Sequence, residues 1–96
     1  MEFERPVSEW FDGHYREIPQ RMRDALVRYV VDHVQPGSFL TAVICNDLAG
    51  AVRLADSENL PLLKTYVEWL YNVPPSACKG SKAAMVAWLE QKPATV

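Results

Sequence analysis

Cys45, His33 and Asp47 are the residues in this 96-residue sequence whose types could supply a nucleophile, an activating base and a group to orient that base. Their spacing works against them. Cys45 and Asp47 are two positions apart, so on a continuous helix they project about 200° from one another. His33 falls near the end of a different helix. The better reading is a packed thiol, a histidine on an amphipathic face and a solvated carboxylate, because free cysteine generally packs as a small hydrophobe. No catalytic residue is expected.

Metal chemistry is equally poorly served. His14, His33, Cys45 and Cys78 follow one another at intervals of 19, 12 and 33, with no C-x₂-C or H-x₃-H pairing. Asp56-Ser57-Glu58-Asn59 has the look of a calcium loop, yet Pro61 stands where the turn glycine belongs and Val67 where the closing glutamate belongs. A helix cap accounts for it better. Gly13, Gly37, Gly50 and Gly80 are scattered singly, so no phosphate-cradling loop exists. No metal or cofactor is expected.

Charge and aromatic residues point instead to contact. Arg16, Arg21, Arg23 and Arg28 concentrate positive charge in one stretch, and Arg21 and Arg28, seven apart, share a helical face. A DNA recognition helix needs several basic or amide side chains at its N-terminal end. The candidates here begin Ser-Phe-Leu-Thr-Ala-Val and Leu-Pro-Leu-Leu-Lys, which is too apolar. The arginines therefore read first as a solvated or partner-facing stripe, with nucleic acid as the lesser alternative. Three Trp, four Tyr and three Phe exceed what a small helical core must bury. Trp10, Phe11 and Tyr15 lie in a segment without a helical pattern, beside arginines, which is a favoured composition for interface anchors. The competing reading has this arm folding over the bundle and closing an apolar groove. Both hold together if the arm docks on a homodimer partner. Glu58 and Glu68, on the opposite side, are candidate phosphate mimics toward a basic groove.

Composition limits the setting for any of this. Ten Lys plus Arg against twelve Asp plus Glu give a net charge of -2, unlike a mainly electrostatic nucleic-acid binder. With 49% hydrophobic and 23% charged residues the chain is ordinary globular material. No apolar run approaches the roughly 20 residues that cross a bilayer. The acidic opening Met1-Glu2-Phe3-Glu4 lacks the basic-then-apolar pattern of a signal peptide. Two cysteines are too few for a disulfide scaffold and suit a reducing cytoplasm.

Proline and glycine divide the chain into pieces with helical period, predicting an all-α, four-helix bundle-like domain over residues 19–92 behind an irregular aromatic arm over residues 1–18. The first helix starts with Pro19 at its first position and ends near Val34, with Met22, Leu26, Tyr29, Val30 and His33 inward. Ser38 caps a second, central helix from Phe39 to Ala55, buried along Leu40, Ile44, Leu48, Ala51 and Ala55 and widened by Phe39, Val43 and Val52. Gly50 and Ala51 there admit a close neighbour. Asn46-Asp47 could split this helix, but the stripe keeps phase across the pair, which favours continuity. A third helix runs from about Leu60 to Tyr71, capped by Asn59, with Leu62, Leu63, Tyr66, Val67 and Leu70 buried and Trp69 at the margin. Ser81 caps a last helix to about Glu90, with Met85, Trp88 and Leu89 inward and Val86 flanking. Lys92-Pro93 closes the fold and the last three residues fray.

Along Pro36-Gly37-Ser38-Phe39-Leu40-Thr41-Ala42-Val43, Asn46-Asp47-Leu48, Ala55-Asp56 and Asn59, the chain resembles a family of short, functionally uncharacterised proteins encoded in tailed-phage and prophage genomes. Leu70-Tyr71-Asn72, Pro74 and the stretch from Cys78 through Gly80-Ser81 to Trp88 continue the resemblance, which covers about residues 18 to 90. It carries no catalytic or ligand role to transfer. It implies an accessory phage protein working in the host cytoplasm by occupying the surface of a bacterial or phage protein, a host defence complex such as a CRISPR effector among them. The expected function is thus a non-enzymatic interaction module, an inhibitor in one form. Its partner-binding residues are Trp10, Phe11, Tyr15, Arg16, Arg21, Arg23 and Arg28. The alternative is a helical DNA-binding regulator.

Overall fold

A computed structural model describes residues 5–91. Phe3 of the arm, the closing Lys92-Pro93 and the last three residues lie outside the described part. Among the described residues the fold is all-α, without a strand. The α-helices are α1 (Gln20–Asp32), α2 (Ser38–Ile44), α3 (Leu48–Leu54), α4 (Leu63–Asn72) and α5 (Lys82–Glu90). Short 3₁₀ segments at Val7–Glu9, Gly13–Glu17, Leu60–Leu62 and Ser76–Cys78 complete the path.

Local chemistry explains most of the helix ends. Pro19 stands just outside α1, not at its first position, and its carbonyl accepts from the N–H groups of Met22 and Arg23. α1 stops at His33, whose φ of 58° is left-handed backbone that only a few residue types tolerate well. Ser81 caps α5 as its sequence predicts, Oγ accepting from the Ala84 N–H at 3.0 Å. Asn59, in contrast, is not a side-chain cap. It is buried, and its Oδ1 accepts a 2.6 Å hydrogen bond from the Tyr66 hydroxyl. Asp56 organises that turn instead, accepting from the N–H groups of Glu58 and Asn59.

The predicted central helix is two helices. Asn46 adopts φ 64°, Asp47 N–H reaches back to the Ala42 carbonyl at 2.8 Å, and Asn46 N–H bonds the Val43 carbonyl at 3.1 Å. That is a Schellman ending with asparagine in the left-handed position glycine usually takes. Asp47 then begins α3 by accepting the Gly50 N–H at 3.0 Å. One tripeptide, Cys45-Asn46-Asp47, closes α2 and opens α3. Gly50 serves the carboxylate of Asp47, which would collide with any Cβ there, and not a neighbouring helix. The break also turns part of the expected stripe outward. Ile44 and Ala51 are buried, but Leu48 is 73% exposed and Val52 is exposed too.

The core is aromatic. Trp10, Trp69, Trp88, Tyr29 and Tyr66 are among its largest fully buried side chains. Burying an indole or phenol strands a donor unless it finds a partner. Here Trp10 Nε1 donates to the Arg5 carbonyl, Trp69 Nε1 to the Trp10 carbonyl, Trp88 Nε1 to the Tyr29 carbonyl, and the Tyr29 hydroxyl to the Cys78 carbonyl. The arm is therefore part of the same core. Trp10 meets Trp69 edge to face at 6.1 Å, and Phe11 stacks on Trp69 at 5.2 Å. Trp69, expected at the margin of its helix, is buried because the arm covers it, while Val67, expected inside, is 46% exposed.

Candidate functional site

The residues first considered for chemistry are each engaged separately. Cys45 Sγ lies 3.7 Å from Met85 Sδ, His33 Nδ1 lies 2.7 Å from the Trp88 carbonyl oxygen, and the Asp47 carboxylate caps α3. Burial raises the Cys45 thiol pKa, with Lys82 opposing and Asp47 adding to the effect. A raised thiol is a poor nucleophile at neutral pH. Among the described residues no group of three His, Cys, Asp or Glu is gathered as a metal site would need.

Cys78 is fully buried, and desolvation pushes its pKa from 9.0 to about 11. The folded state therefore holds this thiol neutral. Its contribution to stability is complete below about pH 9 and is lost as pH rises toward 11. A shift of this size corresponds to on the order of 2 kcal/mol. Urea midpoints measured between pH 7 and 11 should fall accordingly in the wild type and be flatter in Cys78→Ala. An unchanged slope in that variant would contradict the assignment.

The proposed contact residues separate in the structure. Trp10 and Tyr15 are buried and Phe11 is half-buried against the core, so these rings build the fold and do not stand ready as anchors. Their local sequence lacks helical period because the arm is held by tertiary contacts. Arg21 is occupied too, with Nη1 donating to Glu58 at 2.5 Å and Nη2 to Asp56 at 2.9 Å. Arg16 lies 3.9 Å from Asp12. Arg23 is half-buried with its Nε enclosed and unpartnered, and Arg28 is exposed. Glu58 is held by Arg21, and Glu68 lies 3.5 Å from His14, so neither is a free phosphate mimic.

A different surface stands out. The α2–α3 break leaves a concavity of about 320 Å³ between these helices and α4, floored by Val43, Ala51 and Leu63 and edged by Leu48 and Val67. A second, of about 770 Å³, shares Ala42 and Asp47 with it and continues to Leu54, Met85 and Val86. A third, small hollow shares Val43, Asn46 and Val67 and reaches Tyr71 and Lys79. All three meet around residues 42–47. Five of the ten large hydrophobic side chains exposed among the described residues line them: Leu48, Leu54, Val67, Tyr71 and Val86. Sequence reasoning missed this face because it placed Leu48 and Val67 inside. The available signal was Asn46-Asp47 read as a stop and a start.

No helix among the described residues is long and apolar enough to cross a membrane. Comparison with protein-family models, curated proteins and solved structures finds no match to the chain.

Proposed function

We propose that this chain is a non-enzymatic protein-interaction module that binds and modulates a bacterial protein through the surface around the α2–α3 junction. The carrying observation is the continuity of that surface. Apolar side chains exposed in isolation are normal on any protein, whereas a concave group of them marks a contact site. The resemblance over residues 18 to 90 supports a phage origin, and with it action in the host cytoplasm. Inhibition of a defence assembly, a CRISPR effector complex included, is the concrete form this reading takes. Steric masking by a preformed helical face is the mechanism.

The DNA-binding alternative draws less support, because Arg21, central to its arginine stripe, is already held by Asp56 and Glu58. Phosphate contact would first have to displace those carboxylates.

The test is a variant carrying Leu48→Asp with Val67→Asp, both positions being exposed and so tolerant of charge. Wild type purified from bacterial cells should retain a partner that, once identified and purified, rebinds it at equal stoichiometry. The variant should keep its circular dichroism spectrum and melting behaviour but bind that partner at least roughly tenfold more weakly. Undiminished binding by the folded variant, or tight duplex binding that falls steeply with salt, would refute the proposal.

A further inference from the structure

The docking surface proposed above is charged in one sense. Lys64, Lys79 and Lys82 each line one of its three concavities, against the single carboxylate of Asp47. That carboxylate is already committed to the Gly50 N–H. None of the three lysines has an acidic partner among the described residues, and Lys79 merely lies over the Tyr71 ring at 5.2 Å. The ion pairs among the described residues lie elsewhere, at Arg16–Asp12, Arg21–Asp56, Arg21–Glu58 and His14–Glu68. On a chain of net charge -2, this is a local cationic rim around an apolar floor.

We infer that the occupant of this surface is an acidic amphipathic helix of a partner protein, whose apolar stripe fills the concavities while flanking Asp and Glu residues meet Lys64, Lys79 and Lys82. The inference rests on the docking reading and adds to it the chemistry of the partner. Two observations select a helix. No strand exists among the described residues, so there is no sheet edge onto which an extended peptide could add. Tyr71 is the aromatic residue lining the surface, too little for a polyproline groove, which needs several rings. Apolar residues at i, i+3, i+4 and i+7 of one helix match adjoining hollows that share lining residues. Charge selects acidity, because unpaired lysines around an apolar floor favour carboxylates and repel a cationic segment. A second copy docking face to face would bring the same lysines together, which disfavours it.

Selection of helix-length random peptides from a display library on the immobilised full-length protein tests this, with the Leu48→Asp, Val67→Asp variant as counter-target. The expected winners carry apolar residues at helical spacing flanked by Asp and Glu, and lose binding to the counter-target. Their affinity should fall roughly tenfold or more on a Lys64→Glu, Lys79→Glu, Lys82→Glu protein, and should weaken with salt. Winners that need Leu48 and Val67 but are neutral or basic would overturn the acidic assignment and leave the docking surface standing. A concentration-dependent dimer by light scattering, lost in the Leu48→Asp, Val67→Asp variant, would assign the surface to a second copy. Absence of any winner sensitive to Leu48 and Val67, from a protein that is monomeric, would overturn both the acidic helix and the docking surface.

Discussion

Replacing Trp69 with alanine is expected to cost about 3–5 kcal/mol, the range for losing a large aromatic from a packed core. A domain of this size has on the order of 5–14 kcal/mol in total, so the loss consumes much of the margin. Trp69 is fully buried, with Trp10 edge-on and Phe11 stacked against it. Its Nε1 holds the Trp10 carbonyl at 2.9 Å, which ties the arm to α4. Truncation therefore removes the ring, opens a cavity and strands a buried carbonyl together. Trp69→Phe should cost less, since a ring remains and the hydrogen bond is the chief loss, worth about 1–3 kcal/mol. Urea unfolding followed by far-ultraviolet circular dichroism gives both values. A loss below about 1 kcal/mol for Trp69→Ala would mean that the arm does not cover α4 as described.

The second large effect is a contrast between neighbours. Ile44→Ala should destabilise by about 2–5 kcal/mol, because Ile44 is fully buried, whereas Leu48→Ala should fall within about 0.5 kcal/mol of wild type. The two residues are four apart and would share one buried stripe on an unbroken helix. The left-handed turn at Asn46 separates their fates. Equal losses at both positions, read from the same urea melts, would restore the single helix and remove the docking surface with it.

These two positions also show what the sequence makes legible. Prolines, glycines and Ser81 mark the ends of α1 and α5 to within a residue or two, because each acts through its own backbone or side chain. The buried face of α1 follows from its periodicity, with Leu26, Tyr29 and Val30 all in the core. The Asn46-Asp47 break does not follow, since the apolar stripe keeps phase across it and periodicity cannot distinguish a continuous helix from two offset ones. The buried face of α4 is misread in part for a related reason. Tyr66 and Leu70 are buried as the periodicity predicts, but Val67, at the edge of the same stripe, stays exposed, since periodicity places a residue on a face without saying what packs against it. Burial of Trp69 further depends on the arm, a segment distant in sequence. The same dependence misplaces Trp10 and Tyr15: their burial is tertiary, and rings without a local pattern look like a surplus when they are core. The candidate site was hidden by these errors together, because its edges are Leu48 and Val67.

The bonds that join Trp69 to Trp10 and Trp88 to Tyr29 each bridge 59 positions of chain. At typical synthesis rates of about 5–20 residues per second, a nascent Trp10 waits roughly 3–12 seconds for its partner to be made. During that interval the leading indole has nowhere to hide. Helical proteins built from neighbouring contacts fold almost as they are made, but this one must be made as far as Trp69, about seven-tenths of its 96 residues, before Trp10 can dock on α4. Birth is thus its most adhesive moment, and a translational pause placed before Trp69 would prolong it.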